Sequence, residues 1–189
     1  MVTVHAGDAR CFVYSYKEGL FAKLSHDLKL EVTRIELTLG ADGMPTYARF
    51  FAPSIALVCR MKDGVERPDV VAPADRARIL ASLKSDVLDA ERHPEIVFAF
   101  ERIEPAGEGY RVRGALTLRG TTRVLETTSR REGDRQIAEM IVHLPDFGIA
   151  PFSAMLGALR VKADVRVRVE IPVTDDDGGP APLDSRRVA

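Results

Sequence analysis

Residues 161–173 read VKADVRVRVEIPV, and this stretch decides the fold. Its odd-numbered positions are all apolar, whereas its even-numbered positions are charged except for Pro172. A period of two residues places these two sets on opposite faces of a β-strand. We therefore predict a long, half-buried strand in an antiparallel sheet.

The same alternation recurs earlier in the chain and predicts further strands. They fall near residues 10–16, 28–39, 47–59, 95–101, 110–119 and 137–144. Pro53 marks a break or an edge, and the apolar parity slips near Thr33–Arg34, which predicts a β-bulge. Strands joined by turns, mostly without helices between them, predict a barrel or a sandwich. Arginines on the charged faces are expected to lie outside, beside carboxylates.

Helical spacing appears in one segment, from Pro73 to Ala90, and predicts a helix packed on the sheet. A second short helical or irregular piece is expected at Phe152 to Leu159. Residues 1–173 are predicted to form one mainly β domain. Residues 174–189 are polar and rich in Gly and Pro, and we expect a disordered C-terminal tail.

Composition narrows the possible functions. The 189 residues carry 27 basic and 28 acidic side chains, a balance that argues against a nucleic-acid binder. Cys11 and Cys59 lie in alternating runs and are predicted to be reduced and buried. No secretory leader or membrane-spanning run is visible in the sequence, so we expect a cytoplasmic protein.

Catalytic and metal signatures are scarce. No nucleophile elbow, phosphate loop or His pair at metal-ligand spacing occurs, and we expect no enzyme activity and no cofactor. We predict a different location or role for each of three histidines. His143 is expected to face outward, His93 to hold a turn before Pro94, and His26 to pack on a rim or to contact a ligand or metal.

Four motifs in order resemble those of the YceI-like family. They are SHDL at 25–28, SDVLD with HPEIVF at 85–98, GALTLRGTT at 114–122 and DFGI at 146–149. The resemblance covers nearly all of residues 1–173. It implies an extended, lipocalin-like antiparallel β-barrel with a packed helix. It also implies a carrier of polyprenyl chains, such as isoprenoid quinones or polyprenyl phosphates.

Our main hypothesis is a barrel interior that binds a long apolar ligand, with a polyprenyl lipid or quinone as the bound molecule. The candidate contact residues, taken mainly by strand parity, are Phe12, Phe50, Phe98, Phe100, Leu116, Leu118, Met140, Val142, Phe152, Met155 and Leu156, with His26 at the mouth. Two alternatives stay open: a metal- or haem-linked stress protein that uses His26, and a packed barrel that acts as an interaction module. An exposed barrel edge could also pair two chains in a homodimer.

Overall fold

The computed structural model describes residues 2–5, 9–18, 27–41, 43–68, 71–151, 153–154 and 159–173. Fifteen strands lie in this part of the chain. They are β1 Val2–His5, β2 Arg10–Ser15, β3 Lys17–Glu18, β4 Asp27–Val32, β5 Ile35–Leu39, β6 Pro45–Phe51, β7 Ile55–Lys62, β8 Val65–Arg67, β9 Glu95–Ala106, β10 Gly109–Leu118, β11 Thr121–Glu132, β12 Arg135–His143, β13 Ser153–Ala154, β14 Leu159–Val161 and β15 Asp164–Pro172. The mainly β class predicted from alternation is confirmed.

Twelve of these strands form one curled antiparallel sheet. Their order is β1-β5-β6-β9-β10-β11-β12-β15-β2-β4-β7-β8, and the short strands β13, β14 and β3 form a second sheet. No described strand joins β1 to β8, so the large sheet is a half-barrel of the lipocalin-like kind. The long hairpins from β9 to β12 turn at residues 107–108, 119–120 and 133–134.

A corner at Thr33–Arg34 replaces the bulge predicted there. β4 pairs with β2 and β7, whereas β5 pairs with β1 and β6 near the other end of the strand order. The chain therefore passes from one part of the sheet to the other between these residues. Ser54 fixes the corner, because its carbonyl accepts a 3.0 Å hydrogen bond from Thr33 Oγ1 and its Oγ accepts one of 3.0 Å from the Arg34 amide. The parity slip is a strand break, not a bulge.

Pro53 lies at the second crossing, between β6 and β7. A short 3-10 helix, Ala52–Ser54, separates these strands, as the predicted break at Pro53 requires. The Phe51 amide donates to the Arg34 carbonyl at 3.1 Å and the Ala52 amide donates to the Pro94 carbonyl at 2.9 Å. These bonds satisfy backbone groups that leave the sheet at the corner.

The inner face of the large sheet carries the apolar parity of each strand. On β10 the inner residues are Tyr110, Val112, Gly114, Leu116 and Leu118, all buried or half-buried, whereas Arg111 and Arg113 on the outer face are exposed. On β15 the odd-numbered valines contact the core, as predicted. The core lies between this face and the helix.

The segment between β12 and β15 differs from the prediction. The predicted continuous strand is interrupted at Lys162–Ala163, and β14 turns away to pair with β13 and β3. The helical or irregular piece expected at Phe152 to Leu159 is not helical at its described residues, because Ser153–Ala154 pairs with Leu159–Arg160 in antiparallel strands. The strand β14 also pairs with β3, which is distant in the sequence. A 3-10 helix lies instead at Leu144–Phe147.

Helix α1, Pro73–Ser82, continues as one π-helical turn over Leu83–Val87. Its apolar side contacts the core through Ile79, Leu80, Leu83 and Val87, which confirms the predicted helical face. Arg76 donates from Nη1 to the Leu57 carbonyl, so the helix is tied to β7. After the helix, the His93 amide donates to the Asp89 carbonyl at 2.9 Å, consistent with a structural role for His93.

Candidate ligand-binding site

Aromatic side chains of β9 form the centre of the inner face. The rings of Phe98 and Phe100 meet edge to face, with their centroids 5.0 Å apart. In the register, Phe100 lies beside Gly114 and Phe98 beside Leu116 of β10. A Cβ added at Gly114 would lie 2.5 Å from Phe98 Cε1, so the absent side chain makes room for the ring.

Burial varies strongly over this face. Near the 3-10 helix Leu144–Phe147 the interior is tightly packed, since Phe147 and Ile149 are only 2% and 1% exposed. Elsewhere apolar inner residues keep part of their surface accessible. The half-buried residues that contact the core from the sheet are Val13, Leu28, Leu37, Phe50, Ile96, Phe100, Ile103, Tyr110, Leu125, Met140, Val167 and Val169. A close-packed protein interior would cover most of these apolar side chains, whereas here part of their surface stays accessible.

Most predicted contact residues within the described chain lie on the inner face. The structure brings Phe98, Leu116, Leu118 and Val142 into the buried core, with Phe50, Phe100 and Met140 packed against it. Four of the remaining five predicted residues lie outside the described residues: Phe152, Met155, Leu156 and His26. Their roles stay predictions.

The prediction for Phe12 is wrong in its position, because Phe12 lies on the outer face of the sheet and not on the inner face. Cys11 and Val13 of β2 pair with the inner-facing Val169 and Val167, which leaves Phe12 on the opposite side. Lys29 Nζ lies 4.3 Å from the centre of the Phe12 ring, a cation–π contact. All four residues at 11–14 are apolar or aromatic, so the parity of this strand is set by its neighbours and not by its own sequence.

The strand register also places three cations on the inner face, where alternation in the sequence does not predict them: Arg60, Lys62 and Arg67. A bulge in β7 lies opposite Lys29 and Leu30, and beyond it Arg60 pairs with the inner-facing Leu28. Arg60 also pairs with Arg67 of β8, and Lys62 pairs with Val65. The bulge changes the parity of β7, so simple alternation from Ile55 and Leu57 puts these residues on the wrong face.

Charged groups on the outer face are mostly paired. Arg168, whose side chain is 20% exposed, donates to Glu170 at 2.7 Å, to Glu139 at 2.8 Å and to Glu132 at 3.3 Å. These bonds raise the pKa of the Arg168 guanidinium, with the bond to Glu170 the largest cause. Arg113 pairs with Glu101 at 3.3 Å. The predicted exterior of opposite charges is confirmed at these positions.

Both cysteines are free and buried, as predicted. Burial raises the pKa of the Cys11 thiol to about 12, and the Glu31 carboxylate contributes in the same direction. Burial also raises the pKa of Cys59, with a further contribution from Glu66. Both thiols are therefore poor nucleophiles in the folded protein.

His143 is exposed on the outer face, as the alternation predicted. Its Nδ1 lies 2.6 Å from Asp164 Oδ1, and this hydrogen bond raises the pKa of the imidazole. Within the described ranges, no three His, Cys, Asp or Glu side chains gather as a metal site would require. The described helices also include none with the length and apolar character needed to cross a bilayer.

Comparison with known proteins places this geometry in a family. The model of the YceI-like domain matches residues 13–173. The crystal structure of Burkholderia cenocepacia BcnA is similar, with a TM-score of 0.60 and 13% identity, covering 89% of this chain and 98% of that one. A polyisoprenoid binding domain from Saccharophagus degradans, implicated in plant cell wall breakdown, gives a TM-score of 0.55 at 9% identity, covering 90% and 98%. The search of curated protein sequences gives no match. Because the domain model spans most of the sequence, this chain belongs to the YceI-like family.

Proposed function

We propose that the protein binds a long apolar ligand, a polyisoprenoid chain, against the inner face of its sheet and that it does so without catalysis. The observation that carries the proposal is the apolar surface that the inner face leaves uncovered. Phe100, Met140 and Val167 are half-buried although they face the interior. An extended hydrocarbon chain would cover this surface and would need few polar contacts.

The energetics favour such a ligand. Each buried methylene contributes about 0.8 kcal/mol, so a chain of about ten carbons contributes about 8 kcal/mol before ordering costs are subtracted. The similar protein from Saccharophagus degradans is a polyisoprenoid binding domain, which supports the same ligand class here. Family membership supports a binding fold.

Two neighbouring residues on β12 provide a matched test. Met140 faces inward and is half-buried, whereas Ile141 faces outward and is 58% exposed. We expect Met140→Glu to weaken binding of a long-chain polyprenol at least about tenfold, because a carboxylate would replace apolar surface at the ligand. Ile141→Glu should bind as the wild type does, since its charge lies in solvent.

Binding is measured by native mass spectrometry and by equilibrium titration, and thermal unfolding checks that both variants are folded. Equal affinity of the two variants would contradict an inner-face site. A wild-type protein that retains no polyprenol under any condition would contradict the function itself and would favour an interaction module.

A further inference from the structure

The large sheet is split along part of the boundary between β11 and β12. Their pairing begins at the hairpin that joins them and ends at Thr128 and Glu139. Both strands continue beyond this point, because β11 remains paired with β10 and β12 remains paired with β15. In the described part of the chain, no strand pairing joins residues 121–127 to residues 140–143. We call this gap the β11–β12 split.

The split has two closed ends and a middle that can widen. At one end the hydroxyl of Thr127 donates a hydrogen bond to the Glu139 carbonyl. At the other end the 3-10 helix Leu144–Phe147 lies beside β11, and its Phe147 is buried. Between these ends, moving the two strands apart breaks no ladder hydrogen bond, whereas separating β9 from β10 would break a continuous ladder.

Apolar side chains lie on both faces of the sheet at the split. Continuing the register of the two strands would put Ile141 opposite Glu126 and diagonal to Val124. On the outer face Ile141 is 58% and Val124 is 47% exposed, and they are two of the four large exposed hydrophobic residues of the described chain. On the inner face Leu125 and Met140 are half-buried and contact the core. An apolar path therefore leads from the outer surface to the inner face.

Charged groups around the split have partners elsewhere. Glu126 lies 3.6 Å from Arg111 of β10, and His143 lies 2.6 Å from Asp164 of β15. Arg123 donates to a neighbouring backbone carbonyl at 3.0 Å. The open side of the half-barrel differs, because the β7–β8 hairpin there carries three cations on the inner face. An apolar chain that passed these cations would remove water from them, which is unfavourable.

We propose that the β11–β12 split is the lateral opening through which an apolar chain enters and leaves the inner face. This inference rests on the proposed function, and it concerns the route of the ligand and not its identity. Val124 and Ile141 lie on the outer face, so they meet the chain during passage and not in the bound state. Their replacement changes the rates of binding and release by the same factor and leaves the dissociation constant unchanged.

The first test measures the release of tritiated geranylgeraniol into an excess of the unlabelled alcohol. Ile141→Glu should slow release at least about fivefold, because the chain must pass a carboxylate in a narrow apolar opening. Tyr47→Glu is the matched control, since Tyr47 is 42% exposed on the outer face of β6, away from the split. It should release the ligand at the wild-type rate, and equal slowing in both variants would contradict the proposal.

The second test holds the split closed. Glu126→Cys combined with Ile141→Cys allows a short, reducible bis-thiol reagent to link β11 to β12, while the two native thiols are buried. Release should slow at least about tenfold in the linked protein and recover after reduction, since the strands can no longer separate. Arg111→Cys combined with Thr128→Cys is the control, because these residues already pair directly on β10 and β11. Its link should leave the release rate unchanged.

The outcomes separate the route from the function. Unchanged release after linking β11 to β12 would overturn the proposed opening in favour of the open side between β1 and β8. Equal slowing in the control with linked β10 and β11 would attribute the effect to general stiffening of the sheet and would also contradict the opening. If the wild-type protein binds no geranylgeraniol, the proposed function fails together with the route; if binding is intact and only the rates are insensitive, the route alone fails.

Discussion

Replacing Gly114 by alanine should destabilise the sheet at the centre of the candidate site. The new Cβ would lie 2.5 Å from the Ala99 carbonyl oxygen and 2.5 Å from Phe98 Cε1, both far inside van der Waals contact. Since the carbonyl belongs to the neighbouring strand, relief needs a backbone shift as well as a ring movement. Overpacking of this kind costs about 1–3 kcal/mol.

Alanine also lowers the conformational entropy of the unfolded chain. This effect stabilises the folded protein by about 0.4–1 kcal/mol and offsets part of the packing cost. With the middle of each range, the net loss should be about 1.3 kcal/mol. Urea denaturation followed by circular dichroism measures it as a lower midpoint with an unchanged slope. The double variant with Phe98→Leu should recover part of the loss, since leucine lacks the ring atoms that clash.

A Gly114→Ala protein as stable as the wild type would refute the close approach of β9 and β10 at this position. Losses that simply add in the double variant would refute the contact between Gly114 and the Phe98 ring. The same variant also bears on function, because a displaced ring would occupy space on the inner face. Polyprenol binding should weaken together with stability.

Three further outcomes follow from the titratable and charged groups. The two buried cysteines should resist alkylation at pH 8 in the folded protein and should react after unfolding. Mass spectrometry measures the number of alkylated thiols, and rapid labelling of both cysteines in the native state would contradict their raised pKa values. The pKa of His143, followed by NMR, should lie above its value in the unfolded chain. The stabilising contribution of His143 is therefore complete below the unfolded pKa and disappears as the pH rises through the folded pKa. Asp164→Asn should lower the pKa of His143, and an unchanged titration would contradict the His143–Asp164 pair. Arg168→Gln should lower the free energy of unfolding by about 1–3 kcal/mol in urea titrations, since it leaves three carboxylates without their shared partner. A loss below about 0.5 kcal/mol is typical of exposed ion pairs and would contradict a stabilising role for these contacts.

Periodicity in the sequence predicts the strands of the large sheet well where one face is charged. On β10, arginines alternate with apolar residues, and both the strand and its orientation follow from that pattern. The pattern fails on β2, because residues 11–14 offer no polar parity, and it predicts the wrong face for Phe12. Orientation there depends on pairing with β4 and β15, which are distant contacts that local pattern does not encode.

Irregularities in the backbone limit prediction in the same way. The slip at Thr33–Arg34 has the signature of a bulge, yet it is a corner, because hydrogen bonds to Ser54 hold two crossing segments together. The bulge in β7 carries no turn signal, and it moves Arg60 to the inner face. The apolar part of the candidate site was thus predictable from sequence, whereas its cationic part required the register.

The proposed function requires an apolar chain to lie on the inner face of the half-barrel. NMR of protein labelled with ¹³C at the methionine methyl groups tests it with an unlabelled polyprenol. We expect ligand contacts to the methyl group of Met140 on the inner face and none to Met61, whose strand partners Asp27 and Glu66 face outward. Contacts to Met61 alone, or a bound polyprenol that leaves Met140 unperturbed, would contradict it.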